Sequence, residues 1–384
     1  MKKALILLLI IFVLTFFLYS SSTAFALNEK EIEISIEGIK YLIKVPIECD
    51  IVLKKNTTYY DFVKNKLQDG LSPEKILDYI SSSLGKGFFR ELTKYEIQPI
   101  NATQSVSKNG VFKYVEGKNG KLFDRYDAAL QIAKALDGEK ATLDLKEVEP
   151  DITIKTLMAR TRLLASFETP LKESSSARNH NIKLACSFIN SMVIGPYQDF
   201  SFNNTVGARS QERGFKSAKI IIDGEYVDGI GGGVCQLATT VYNAVLLSGL
   251  KVKKVSRHSY PPKYIAPSRD AMVSSSSDFI FENNTEYPIY LFADVANNRV
   301  RVRIYGLKQG DYKLKSVEVK RTPYQNVDID GKLLTNTDGY KLISKGIEGI
   351  NSELYLINTN GEAIRIRSDT YKTKNAKYSQ VDHP

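Results

Sequence analysis

Gly229-Ile-Gly-Gly-Gly-Val-Cys-Gln-Leu-Ala-Thr-Thr-Val-Tyr-Asn-Ala-Val-Leu-Leu-Ser-Gly249 is the stretch around which this 384-residue chain is best read. Leu237, Val241, Ala244 and Val245 recur at helical spacing and Gly249 suits a helix C-terminus, so the stretch predicts a glycine loop running into a helix. Cys235 then falls at or just before the helix N-terminus, where unpaired backbone N–H groups and the positive dipole end favour thiolate over thiol. Gly231, Gly232 and Gly233 leave room for a substrate backbone or a tetrahedral oxyanion to approach the main-chain N–H groups, and Gln236 beside them is a further candidate substrate or oxyanion contact. The loop fits neither G-x-x-x-x-G-K-[ST] nor G-x-G-x-x-G, which argues against a phosphate cradle.

Downstream lie Arg257-His258-Ser259, Tyr260-Pro261-Pro262 and Arg269-Asp270. A cysteine, a histidine to take its proton and a carboxylate to orient that histidine form the minimal set for acyl transfer, which makes Cys235, His258 and Asp270 candidate catalytic residues and Ser259 a candidate substrate contact. Each has a plainer reading: Cys235 as a buried packing thiol, His258 as a surface histidine after a strand, Asp270 as a turn aspartate after Pro267-Ser268.

Outward from this core, 43% hydrophobic and 25% charged residues describe a globular protein and rule out a disordered tail, a collagen or a coiled coil. The net charge of +10 is spread along the chain without an arginine-rich run, which favours an anionic surface as neighbour over a nucleic-acid groove. Three histidines and three cysteines exclude a zinc centre with paired ligand spacing, and no metal or cofactor is expected. Met1-Lys-Lys, the uncharged run from Ala4 to Tyr19 and Ala24-Phe-Ala26 predict a secretory signal peptide over residues 1–26, an uncleaved membrane anchor being the alternative. With Cys49, Cys186 and Cys235 at most one disulfide can form; Cys186, in line with Ile182 and Ile189 on one helical face, reads as a packing thiol.

Alternation in residues 28–60, as in Glu31-Ile-Glu-Ile-Ser-Ile-Glu37, predicts strands. Helices are expected around Tyr59–Lys66, Pro73–Leu84, Asp127–Leu136 and Ala177–Met192, with strands over Lys108–Leu122, Ala141–Val148 and Asp199–Phe202. Glu168–Ser176 reads as a polar connector, and a hairpin turn is expected at Asp223-Gly224. From Asp278 to Gly306 and through the last 75 or so residues the pattern is almost wholly β.

These residues resemble the VanW family of exported bacterial proteins. The likeness runs through Arg178-Asn179-His180-Asn-Ile-Lys-Leu-Ala185, Phe200-Ser-Phe-Asn203, Val206-Gly207, Glu212-Arg-Gly214, Gly231-Gly-Gly-Val-Cys-Gln236, Thr239-Thr240-Val-Tyr-Asn-Ala244, His258-Ser259, Asp270-Ala271 and Asn284-Thr285. Ala238 stands where a serine is commoner and Ser268 where a glycine is. Lys108–Asp124 and Ala128–Leu145 resemble, less specifically, the peptidoglycan-binding module that often precedes this domain. The resemblance implies an α+β protein: a signal peptide (1–26), a small α+β wall-binding module (27–165), a mixed, β-rich VanW domain with the cysteine on a loop–helix junction (166–307) and a β-rich extension (308–384). It also implies an L,D-transpeptidase of the cell wall, in which Cys235 forms a thioester with one peptidoglycan stem peptide and the side-chain amine of another resolves it. A non-catalytic wall-binding protein and a cysteine carboxypeptidase on the same peptides are the alternatives.

Overall fold

The computed structural model describes residues 28–47, 57–82, 84–171, 174–222 and 225–381; the expected leader, Cys49, the Asp223-Gly224 turn and His383 lie outside them. The fold is α+β, in two compact units built from residues 28–101 with 118–151 and from 102–117 with 152–381.

In the first unit Asn28–Ile36 and Ile39–Ile47 form an antiparallel hairpin, turned by Glu37 and Gly38 at positive φ, and Ala141–Leu143 adds a parallel third strand. The alternation seen in the sequence puts Ile32, Ile34 and Ile36 on the inner face. Helices α1 (Tyr59–Gln68), α2 (Pro73–Ile80), α3 (Gly85–Leu92) and α4 (Arg125–Leu136) close the core through Val63, Leu77, Phe89 and Ile132. The start of α4 is fixed by Asp124, whose carboxylate accepts from the N–H groups of Tyr126 and Asp127.

The second unit contains α5 (Ile154–Ala159), α6 (Ser176–Ile189), α7 (Phe202–Val206) and α8 (Val234–Leu247). Its largest sheet is antiparallel, in the order Arg162–Pro170, Arg299–Gly306, Ile289–Ala296, Met192–Ile194. The supposed connector beginning at Glu168 is therefore partly an edge strand. Thr169 hid it from a hydrophobicity pattern: this polar side chain is fully buried because its hydroxyl bonds Thr240 at 2.9 Å. The expected strand through Phe202 instead ends at Ser201, whose hydroxyl caps α7. The hairpin Thr103–Val106/Phe112–Val115, which its sequence position assigned to the preceding module, belongs to this unit; Phe112 meets the rings of Tyr290, Phe292 and Tyr305. Three C-terminal strands, Lys313–Thr322, Gly349–Ile357 and Ala363–Tyr371, form a further antiparallel sheet, and Leu314 and Leu354 enter the same hydrophobic core as α6 and α8.

Helix α8 is enclosed on every side: Leu237, Val241, Ala244 and Val245 are buried as expected, but so are Gln236, Thr239, Thr240 and Asn243. A buried polar group must find a partner, and each of these does so by holding a neighbouring segment. Gln236 donates to Thr169 Oγ1 (3.0 Å) and Pro170 O (2.9 Å). Thr239 accepts from Ala271 N–H (3.0 Å) and donates to Ala271 O (3.3 Å). Asn243 donates to Arg269 O (2.7 Å) and accepts from Arg269 Nε (2.8 Å). The helix thereby clamps the segment that carries Asp270. Thr239→Val, nearly isosteric, strands the Ala271 peptide groups and is expected to lower stability by about 1–3 kcal/mol in urea denaturation; a loss within about 0.5 kcal/mol, as for an ordinary surface change, would remove the clamp from this account.

Candidate active site

Cys235 is the second residue of α8, half-buried, with Gly233 as the N-cap at φ 103° and Gly231 at φ 81°. No L side chain sits comfortably at these angles. A Cβ on Gly232 would meet Lys219 O at 2.8 Å and Ala218 O at 2.9 Å. The glycines thus let the loop pack against the strand Ser217–Ile222 and against Arg209 and α6, and Asn181, fully buried, ties them down: its amide donates to Lys216 O (2.9 Å) and Gly232 O (3.1 Å) while its oxygen accepts from Lys216 N–H (2.7 Å). Gly231 N–H, Val234 N–H and Gln236 N–H have acceptors in the loop and strand; those of Gly232, Gly233 and Cys235 donate to no described residue. A helix start leaves such donors, and a buried one calls for an acceptor.

The thiol of Cys235 contacts Val273 O at 3.3 Å and has the His258 imidazole as hydrogen-bond partner. The other side of that ring, Nδ1, lies 2.7 Å from Asp270 Oδ2, which also accepts from His258 N–H at 2.7 Å. Two bonds from one residue to one oxygen fix both the backbone and the ring. Asp270 Oδ1 accepts from the Tyr371 hydroxyl, and Arg367 lies 3.7 Å away while donating to Asp270 O at 2.6 Å. Tyr371 in turn accepts from Ser268 N–H at 2.7 Å. Ser268 has φ 62°, in the left-handed region that favours glycine; its hydroxyl is bonded to that of Ser352 at 2.7 Å.

Electrostatics follow from this packing. Burial pushes the Cys235 thiol up, but the His258 hydrogen bond and charge, with Arg209 behind them, outweigh it and hold the thiol below its usual value. Burial would lower His258; its bonds to Asp270 and Cys235 prevail and raise it to about 9. For Asp270 burial is again overcome, by His258, Arg367 and Tyr371, so the carboxylate stays ionised well below the ordinary range. The two shifts oppose each other in sign, the thiol lowered and the imidazole raised, and both favour a thiolate–imidazolium pair.

The structure thus brings Cys235, His258 and Asp270 together, with Gly231, Gly232 and Gly233 beside the thiol. Gln236 needs correction: it is 1% exposed, its amide donates to Thr169 and Pro170, and its oxygen accepts from Arg178 Nη2 at 2.6 Å, so it braces the loop and is closed off from a substrate by burial. Ser259 is exposed but lines a separate cavity of about 940 Å³ with Arg257, Ile366 and Arg367, which Cys235 does not line. Four residues escaped the sequence reading: Arg367 and Tyr371 on the strand Ala363–Tyr371, Arg209 beside the glycine loop, and Tyr264, a phenol near the thiol that burial keeps neutral. Nothing in local pattern marks them; only the long-range fold does. Among the described residues no three His, Cys, Asp or Glu side chains converge as a metal site.

If the Tyr371 hydroxyl holds the carboxylate, Tyr371→Phe and Asp270→Asn should be non-additive in stability by about 1–3 kcal/mol, the range for a hydrogen bond to a charged group. A double-mutant cycle by chemical denaturation measures this; additive single effects would detach the C-terminal strand from Asp270.

A family model described as VanW like protein matches residues 177–305, which include all three of these residues but neither Arg367 nor Tyr371. The uncharacterized protein YoaR of Bacillus subtilis (strain 168) is 35% identical over 158 residues, a segment covering 41% of this chain and 52% of that protein, so the chain spans about half the length of this relative. No solved structure matches the chain. The glycine–cysteine loop, the histidine and the aspartate all lie inside the matched segment, so residues 177–305 are a VanW-like segment of this chain.

Proposed function

We propose that the protein is an exported cysteine L,D-transpeptidase of the cell wall. The observation that carries this reading is the Cys235–His258–Asp270 chain at the start of a buried helix, a nucleophile, its base and an orienting carboxylate. The Cys235 thiolate attacks the carbonyl of the stem-peptide residue that precedes a terminal D-amino acid. The oxyanion draws on the free N–H groups around Gly232, Gly233 and Cys235. As the C–N bond breaks, imidazolium His258 gives its proton to the departing amine, and a thioester remains on Cys235. The side-chain amine of a second stem peptide then attacks the thioester, His258 takes the amine's proton, and the C–S bond breaks to restore thiolate and imidazolium. The net charge of +10 suits anionic wall polymers around this substrate.

The test is incubation of the full chain, wild type and Cys235→Ala, with purified disaccharide-tetrapeptide, followed by mass spectrometry. A dimer lacking one terminal D-residue, formed by the wild type only, is expected. Shortened monomer alone would make the protein a carboxypeptidase, and unchanged substrate would overturn an enzymatic reading.

The pH dependence has a definite sign. Thiolate is the reactive form, so alkylation of Cys235 by iodoacetamide should be fast at neutral pH and decline only as pH falls through its depressed value. Turnover should decline again as pH rises through about 9, where His258 loses the proton it must give the leaving group. Cys186, whose thiol burial pushes up to about 12, should stay unmodified until the protein unfolds. A Cys235 alkylation profile rising only above the ordinary thiol value of 9.0 would contradict the thiolate–imidazolium pair.

A further inference from the structure

Arg209 lies beside the glycine loop that leads to the cysteine, and among the described residues it makes no ion pair with a carboxylate. Its side chain lies against the glycine loop: a Cβ added to Gly231 would come within 2.7 Å of Arg209 Cβ. The guanidinium is partly buried, lies 5.9 Å over the Phe202 ring and donates through Nη2 to Asn203 Oδ1 at 2.7 Å. Asn203 is in turn immobilised, its amide donating to Ser274 O (2.9 Å) and Ser277 O (3.0 Å) and its N–H to Asp278 Oδ1 (2.8 Å). The charge of Asp278 reaches Arg209, but its oxygens accept from Ser201 Oγ, Asn203 N–H and Phe279 N–H, and among the described residues no carboxylate forms an ion pair with the guanidinium. Arg213, close enough to repel it, adds a second positive charge. This arrangement also uses Phe200-Ser-Phe-Asn203, a part of the family likeness to which the cysteine chemistry gives no task.

A guanidinium held by a neutral amide, partly out of water and beside a nucleophile, has unused planar donors that match a carboxylate. We propose that Arg209 recognises the free terminal carboxylate of the acyl-donor peptide and so registers the scissile carbonyl over Cys235. This rests on the stem-peptide reading above, and it adds what that reading lacks: a reason for the enzyme to act at a chain end, since only the last residue of a peptide carries an α-carboxylate. Asn203 and Phe202 are positioning residues for the guanidinium.

The test separates recognition from chemistry. Full-length Cys235→Ala protein, which cannot turn over, is titrated calorimetrically with a synthetic stem tetrapeptide bearing a free C-terminal carboxylate and with the same peptide amidated at its C-terminus. The acid should bind about 10- to 100-fold more tightly than the amide, the span of a charge-assisted contact. In Cys235→Ala/Arg209→Gln this preference should collapse, and Arg209→Lys should restore part of it. Equal binding of acid and amide by Cys235→Ala, a requirement for no Arg209 variant, overturns the proposal, as does an undiminished preference in Arg209→Gln or the failure of either peptide to bind. Absence of turnover by the wild type, with the Arg209-dependent preference intact, would overturn the transpeptidase alone and leave a carboxylate-reading binding site.

Discussion

Asp270 keeps a full negative charge where water does not reach, and much of the second unit is arranged around that fact. An isolated buried carboxylate would take up a proton; to remain ionised it needs hydrogen bonds and an opposite charge. Here the donors come from His258 and from Tyr371, with Arg367 close by. Tyr371 and Arg367 belong to a strand some hundred residues along the chain, outside the matched family segment. The aspartate therefore joins the C-terminal sheet to the VanW segment, and Leu314 and Leu354, packed into the common core, make the same connection through apolar contact. The extension is a structural part of the site.

Helix α8 shows a different trade. Four polar side chains on a buried helix are poor choices for hydrophobic stabilisation alone, since each must be desolvated and then matched. What they supply is direction. Gln236 and Thr240 hold the edge strand at Thr169 and Pro170, while Thr239 and Asn243 hold Arg269 and Ala271 on either side of Asp270. One helix thus fixes the thiol at its N-terminus and, a turn or two later, the backbone of the residue that orients the thiol's partner. Apolar packing tolerates small slippages that a set of paired hydrogen bonds does not.

The parts of this arrangement legible in the sequence are those encoded locally. Glycines before a helical stripe put Cys235 at a helix start, alternation put Ile32, Ile34 and Ile36 on one face, and residue type singled out His258 and Asp270. Residue type failed where burial decides the role. Gln236 beside a nucleophile looks like a substrate contact until its three hydrogen bonds to Arg178, Thr169 and Pro170 are seen. Thr169 likewise made a strand look like a linker. Arg367 and Tyr371 were beyond reach for another reason: their partner Asp270 is distant in the chain, and neither periodicity nor spacing encodes a contact across a hundred residues.

The two described cysteines make the same point about chemistry. Both sit in helices that pack into one core, and burial pushes both thiols upward. Cys186 lies in the last turn of its helix with the Asp294 charge adding to the effect, and its thiol is driven to about 12. Cys235 stands at a helix N-terminus, hydrogen-bonded by His258 and facing Arg209, and the sign of the shift reverses. Residue identity is shared and burial raises both thiols; the opposite sign lies in which charges and dipoles each sulfur faces. Removing positive charge around Cys235 would leave a thiol much like Cys186. The lowered thiol of Cys235 therefore depends on His258, which Asp270 holds, and through Asp270 on the C-terminal strand that bonds the carboxylate.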